Sequence, residues 1–162
     1  MNLRPYQVEG VKFLASHRHA LLADEMRLGK TPQAIMAAAE VHADTILVVC
    51  PAIAVEQWKR EFQRWWPIKY MTPHVVVRSY NRAKMEAETL LRRNWAVTII
   101  DECHFAKNPE AQRTKLIYGK GGLGWQSRRM WSLSGTPAPK NAAELWPMLR
   151  AYGVVGMTYD EF

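Results

Sequence analysis

Short apolar runs alternate with longer amphipathic ones along the 162 residues of this chain. Thr45 to Cys50 is β-branched or apolar throughout, and Leu21-Leu22-Ala23, His74 to Arg78, Trp95 to Ile100 and Met130 to Ser134 are mostly so. Strands covered on both faces must read that way. Between them the spacing turns helical. Val8, Val11 and Leu14 share one face in 5–17, behind Pro5, and Ile35, Met36 and Ala39 share another between Thr31 and about His42. In 53–66 the face is Val55, Trp58, Phe62 and Trp65, with Lys59, Arg60 and Arg64 pointing away. Asn81 is placed to cap a charged helix reaching about Arg93; 111–118 and Ala142 to Tyr152 complete the helices. Gly119 to Gly124, with four glycines, predicts a flexible loop. Strands alternating with helices predict one α/β domain with a parallel sheet between helical layers.

Ligands on such sheets bind at the carboxyl ends of the strands. A Gly-Lys-Thr loop, Pro51, Ser79, Asp101 and Ser134 all fall there. The loop, Leu22-Ala23-Asp24-Glu25-Met26-Arg27-Leu28-Gly29-Lys30-Thr31, joins an apolar run to a helix with Pro32 in its first turn. Turn amides and the positive end of the helix then point at one anion. Lys30 can reach terminal phosphates, and the Thr31 hydroxyl can join the shell of a bound Mg²⁺. The strict phosphate-loop pattern asks for Gly where Asp24 stands, so an ordinary turn before a helix stays open on this stretch alone. Ile99-Ile100-Asp101-Glu102 supplies the acids such a site needs, Asp101 for the metal and Glu102 for an attacking water.

The +7 net charge is unevenly spread. Residues 57–93 carry nine Lys or Arg against three Asp or Glu, and residues 105–150 carry eight against two. A polyanionic partner and a merely solvated surface both fit that excess. Cys50 and Cys103 lack metal-ligand spacing and sit at the ends of apolar runs, which suits buried reduced thiols in an intracellular protein. No run approaches the roughly 20 apolar residues that span a bilayer, and Met1 to Tyr6 has no signal-peptide core. Most of the seven tryptophans fall at core spacing, so packing is expected of them rather than base stacking.

Leu3-Arg4-Pro5-Tyr6-Gln7, Asp24 to Thr31, Val48-Val49-Cys50-Pro51-Ala52, Asp101-Glu102-Cys103-His104 and Leu133-Ser134-Gly135-Thr136-Pro137 occur in that order. Together with Lys107-Asn108-Pro109 and Glu144-Leu145-Trp146, the series resembles the N-terminal RecA-like lobe of Swi/Snf-type ATPases of helicase superfamily two. The likeness runs over essentially all of residues 1–162 and implies a three-layer RecA-like P-loop NTPase domain with a mainly parallel sheet. It implies ATP and Mg²⁺ as cofactors, duplex DNA as partner and an intracellular place of work. Gln7 would read the adenine, with Arg4 and Tyr6 shaping its pocket. Asp24, Met26, Arg27, Leu28 and Gly29 would form the loop around the phosphates, with Lys30 and Thr31. Asp101 and Glu102 would serve metal and water. His104, Ser134 and Thr136 would couple nucleotide state to nucleic acid. Pro51, Ala52, Arg78, Ser79 and Tyr80 would touch one strand's phosphates.

Three departures follow. Arg27 stands where the family usually has Gly, and a positive φ there would strain the loop. The span from Pro51 to Arg78 is short by about one strand-and-helix unit of the family. The sequence closes at Thr158 to Phe162, where the first lobe of this family ends. A second RecA-like lobe, in another chain or missing, is therefore expected to supply the arginine finger, worth roughly 10³–10⁵ in rate. Alone the chain is expected to bind ATP weakly and hydrolyse it poorly. A non-catalytic, nucleotide-gated module binding DNA or protein is the alternative. A small P-loop kinase fits less well, having no use for Gln7 or Ser134 to Pro137.

Overall fold

In the computed structural model, which describes residues 2–162, five strands form one sheet. They are β1 (His19–Leu22), β2 (Thr45–Cys50), β3 (His74–Ser79), β4 (Val97–Asp101) and β5 (Arg129–Leu133), in the order β1-β5-β4-β2-β3, every pair parallel. The helices are α1 (Pro5–Ser16), α2 (Lys30–Glu40), α3 (Val55–Trp65), α4 (Tyr80–Met85), α5 (Ala87–Leu91), α6 (Gln112–Tyr118), α7 (Leu123–Gln126) and α8 (Trp146–Ala151). Single tight turns of helix at Ala52–Ala54, Cys103–Ala106 and Ala142–Leu145 join them.

Successive strand residues face opposite ways, and both faces are dry. Ile46, Val48, Ile99, Trp131 and Leu133 pack with Leu14, Ile35, Trp58 and Phe62, the layer of α1, α2 and α3. Leu47, Val49, Ile100 and Met130 pack with Tyr80, Leu90, Ile117, Leu123 and Met148 from α4 to α8. This is the three-layer sandwich expected, with a sheet that is parallel throughout. Trp58, Trp95 and Trp131 are fully buried, as packing requires, while Trp125 is exposed. No helix among the described residues is long and apolar enough to cross a membrane.

Three local expectations are corrected. Ser79, not Asn81, caps α4, its Oγ accepting from the Arg82 N–H at 3.2 Å. The charged helix is two pieces broken at Glu86, which leaves helical geometry at φ −98° and ψ 16°. The glycine-rich stretch is not loop throughout: Gly122 N–H reaches Gly119 O at 2.8 Å and α7 starts at Leu123. A Cβ on Gly119 would lie 2.4 Å from Lys115 O, so that glycine permits close backbone approach rather than motion. Between α3 and β3 the chain makes only a turn, and no further strand or helix.

Candidate active site

All five carboxyl ends lie along one edge of the sheet. Leaving β1, the loop from Ala23 reaches α2 through two left-handed residues, Arg27 at φ 66° and Gly29 at φ 75°. Arg27 thus carries the positive φ that its side chain disfavours. The loop is held from within. Gln7 Nε2 and Tyr6 OH both donate to Leu28 O, at 3.1 and 3.2 Å. Gln7 Oε1 accepts from Arg4 N–H at 2.9 Å. Lys30 Nζ donates to Asp24 O at 2.7 Å and Glu25 O at 3.0 Å.

Asp24, the residue that breaks the strict pattern, is explained by Gln33. Its fully buried amide donates to Asp24 Oδ2 at 3.0 Å and to Gly29 O at 3.1 Å, tying the two ends of the loop together. A carboxylate where glycine would stand therefore closes the cradle by accepting a side-chain bond. Gly10 of α1 makes room, since a Cβ there would lie 1.8 Å from Gln33 Oε1. Gln33 was not among the residues expected at the site, and a lone polar position in an amphipathic helix carries no sequence signal of this role.

Asp101 ends β4. Trp58 Nε1–H donates to its Oδ2 at 2.8 Å, and Glu102 N–H to its Oδ1 at 3.1 Å. Burial pushes the Asp101 carboxyl above its ordinary pKa; the Trp58 bond and the Lys30 cation pull against this, while Glu102 adds to it. Glu102 is itself left-handed, at φ 50°. Its Oε2 is buried with no hydrogen bond, and His104 Nδ1 lies 3.3 Å away. His104 Nδ1 is also 3.1 Å from Ser134 Oγ, which accepts from Thr136 N–H at 3.1 Å. Behind Ser134, a Cβ on Gly135 would meet Met26 N at 3.1 Å, so this loop rests on the loop of Lys30. Lys107 and Glu144 form a 2.7 Å ion pair outside the cleft lining.

A cleft of about 600 Å³ brings together Met26, Arg27, Gly29, Lys30, Thr31, Pro51, Asp101 and Glu102. Arg4, Tyr6 and Gln7 do not line this cleft; Tyr6 and Gln7 meet the loop at Leu28 O. Cys50 and Cys103 are buried and free, and burial pushes both thiols up to about 12, so neither is a nucleophile at neutral pH. Among the described residues no three His, Cys, Asp or Glu cluster as a metal cage. Two neighbouring carboxylates, one with an unbonded buried oxygen, nevertheless suit a hard divalent cation sharing oxygen ligands with a phosphate.

The residues expected at the nucleic acid divide. Pro51 lines the cleft and Ala52 opens an exposed turn. Arg78 is drawn to Glu86 Oε2 at 2.6 Å, and Ser79 caps α4. Tyr80 is the correction: its ring is buried and its hydroxyl donates to Asp101 O at 2.7 Å, with Glu102 O at 3.2 Å. It braces the acid pair from below rather than meeting a phosphate. Trp58, read from the sequence only as core, is the second brace.

The family described as the SNF2-related domain matches residues 6–72 and 67–154. Helicase swr1 of Aspergillus fumigatus is 32% identical over 177 aligned residues, covering 91% of this chain and 10% of that protein. The ISWI chromatin-remodeling complex ATPase ISW1 of Saccharomyces cerevisiae is also 32% identical, over 91% of this chain and 15% of its own length. The chain thus spans about a tenth of the length of the curated relatives it matches. The Sulfolobus solfataricus SWI2/SNF2 ATPase core, solved in complex with dsDNA, superposes with a TM-score of 0.83 at 27% identity over 100% of this chain and 38% of that one. With its phosphate-type loop, its acid pair and this match along nearly its whole length, the chain belongs to the SNF2-related domain family, as a RecA-like ATPase lobe of the Swi/Snf type.

Proposed function

We propose that this lobe binds ATP and Mg²⁺ and, once a second RecA-like lobe completes the site, couples ATP hydrolysis to movement along duplex DNA inside the cell. The observation that carries this reading is the chain of contacts from Lys30 to Ser134. Asp101 and Glu102 lie in one cleft with Lys30 and Thr31, and His104 bridges Glu102 to the Ser134–Thr136 loop. Catalytic acids are thereby linked, through one imidazole, to a loop resting on the phosphate cradle.

Each side chain has a stated task. Gln7 has one N–H and one carbonyl lone pair left for a purine edge, beside Tyr6 and Arg4. Lys30 and the α2 N-terminus bind phosphate oxygens. Thr31 and Asp101 would hold Mg²⁺, which supplies charge neutralisation on the phosphates. Glu102 orients and polarises the water that attacks the terminal phosphorus, the P–O bond to the departing ADP breaking as the new one forms. Pro51, Ala52, Arg78 and Ser79 would touch one DNA strand's phosphates. Such contacts carry no sequence information.

The support for DNA is the charge excess of residues 57–93 and the solved relative's complex with dsDNA. The test is to mix this chain with one carrying a Swi/Snf-type second lobe and follow phosphate release with and without duplex DNA. DNA-stimulated hydrolysis, lost in Glu102→Gln, is expected. Absence of stimulation with every second lobe tried would leave a non-catalytic binding module.

A further inference from the structure

The turn between α3 and β3 is where this chain is short against its relatives. The family match breaks and restarts there, at residues 67–72. The relatives align over 177 positions that use 91% of a 162-residue chain, so about 30 positions have no counterpart here. The shortfall leaves a bare edge. β3 is the outermost strand and pairs with β2 alone. His74 N–H bonds to Asp44 O, and in a parallel ladder alternate residues turn both backbone groups to the same side. Residues 74, 76 and 78 therefore face β2, while Val75 and Val77 present N–H and C=O outward. The Arg78 guanidinium takes the Val77 carbonyl at 3.1 Å, a side chain standing in for a neighbouring strand.

Beside this edge runs an apolar groove of about 570 Å³, lined by Phe62, Trp66, Ile68, Tyr70, Val75 and Val77. Ile68 is fully exposed at its lip, and Met71 nearby is 91% exposed. Among the described residues, Lys59 and Arg78 are the only charged side chains in the lining, each paired within the chain to a glutamate, Glu56 and Glu86, while the Lys69 ammonium lies over the Tyr70 ring with no carboxylate within ion-pair distance. A second copy would press one basic segment, residues 57–93, against another. An acidic segment would meet complementary charge.

We propose that the free edge of β3 and this groove form a docking site for an extended segment of a second protein. Its backbone pairs with Val75 and Val77, its apolar side chains enter the groove at every second position, and its ends carry carboxylates. No nucleotide-site residue belongs to it, and of the residues assigned to DNA only Arg78 reaches its lining. The test uses the whole chain and a synthetic peptide with apolar residues at alternate positions and two aspartates at each end. Amide exchange should slow at Val75 and Val77 on saturation and stay unchanged at Val76, which is already bonded to β2. Ile68→Glu alters a side chain that packs on nothing in the free protein; it should weaken the peptide by about tenfold or more with unchanged circular dichroism. Unchanged exchange at Val75 and Val77, or equal binding by Ile68→Glu, overturns the proposal. A dimer of the chain alone, with those same two amides protected, also overturns it by making a second copy the occupant.

Discussion

Replacing Trp58 by Phe removes one hydrogen bond from the acid pair and leaves the rest of the site standing. The indole N–H donates to Asp101 Oδ2 at 2.8 Å from a ring that is 1% exposed, so no water replaces it cheaply. A bond to a charged acceptor contributes about 1.5–3 kcal/mol, against about 0.5–1.5 for a neutral one. Trimming indole to phenyl adds a packing loss that does not depend on pH. Burial already raises the Asp101 pKa, and the Trp58 bond is the strongest pull downward, so the variant's carboxyl titrates higher still. A group whose folded pKa exceeds its unfolded one contributes fully below the ordinary value of 3.8 and loses that contribution as pH rises through the folded pKa. The variant extends that loss over a wider range. Its deficit should therefore be larger at pH 8 than at pH 4 by about 1–2 kcal/mol. At about 2–4 °C per kcal/mol for a domain of this size, the extra drop in Tm is roughly 2–8 °C. Thermal unfolding of Trp58→Phe at both pH values, with and without Asp101→Asn, measures it. Equal deficits at the two pH values, or a pH dependence that survives in the Asp101→Asn background, would refute the reasoning.

Gly10→Ala drives a Cβ into Gln33 Oε1, which must leave Asp24 and Gly29; urea unfolding should show a loss of about 1–3 kcal/mol, and ATP affinity should fall. Adding Gln33→Ala clears the space and should recover part of the stability but not the affinity. Arg27→Gly relieves a left-handed residue worth about 1–2 kcal/mol, offset by about 0.5–1 kcal/mol of glycine entropy, so Tm should hold or rise by a few degrees. A marked drop would show that the Arg27 side chain holds the loop. DNA affinity should fall linearly in log–log against salt, at about 0.9 per phosphate contacted; a flat response would refute a phosphate groove.

The strands were legible to within two residues because a parallel strand buried on both faces must be apolar at every position, and few other stretches are. The ordered motifs were legible because the phosphate loop and the acid pair are local runs of residues. What the sequence hid are bonds between distant elements. Trp58 meets Asp101 across 43 residues and Tyr80 meets it across 21, and neither spacing has a local pattern. Tyr80 follows Arg78 and Ser79, which suggests a surface, yet the strand ends one residue earlier and α4 turns the ring inward. Asn81 lost the cap to Ser79 for a similar reason: β3 passes straight into α4 with no loop between, so its last residue is the cap and the helix begins at Tyr80.

Left-handed non-glycine residues occur at both loops of the acid and phosphate sites, Arg27 and Glu102, and each is surrounded by side chains that over-determine it. Around Arg27, the next carbonyl is held by Tyr6 and Gln7, and Gln33 ties Asp24 to Gly29. Under Glu102, Tyr80 sits on two successive carbonyls while Trp58 fixes the carboxylate before it. Backbone so constrained cannot respond to a ligand by relaxing. The side chains that a ligand can re-engage at the cleft are the Lys30 ammonium, now on two loop carbonyls, and the Glu102 oxygen that only His104 approaches. Under the proposed function, phosphate charge would compete with Asp24 O and Glu25 O for Lys30, and a shift of Glu102 would be felt at His104 and hence at Ser134. On that same proposal, a constrained cradle with a cation and an acid free to shift would let a change at the nucleotide travel along one imidazole, instead of being absorbed by the loops.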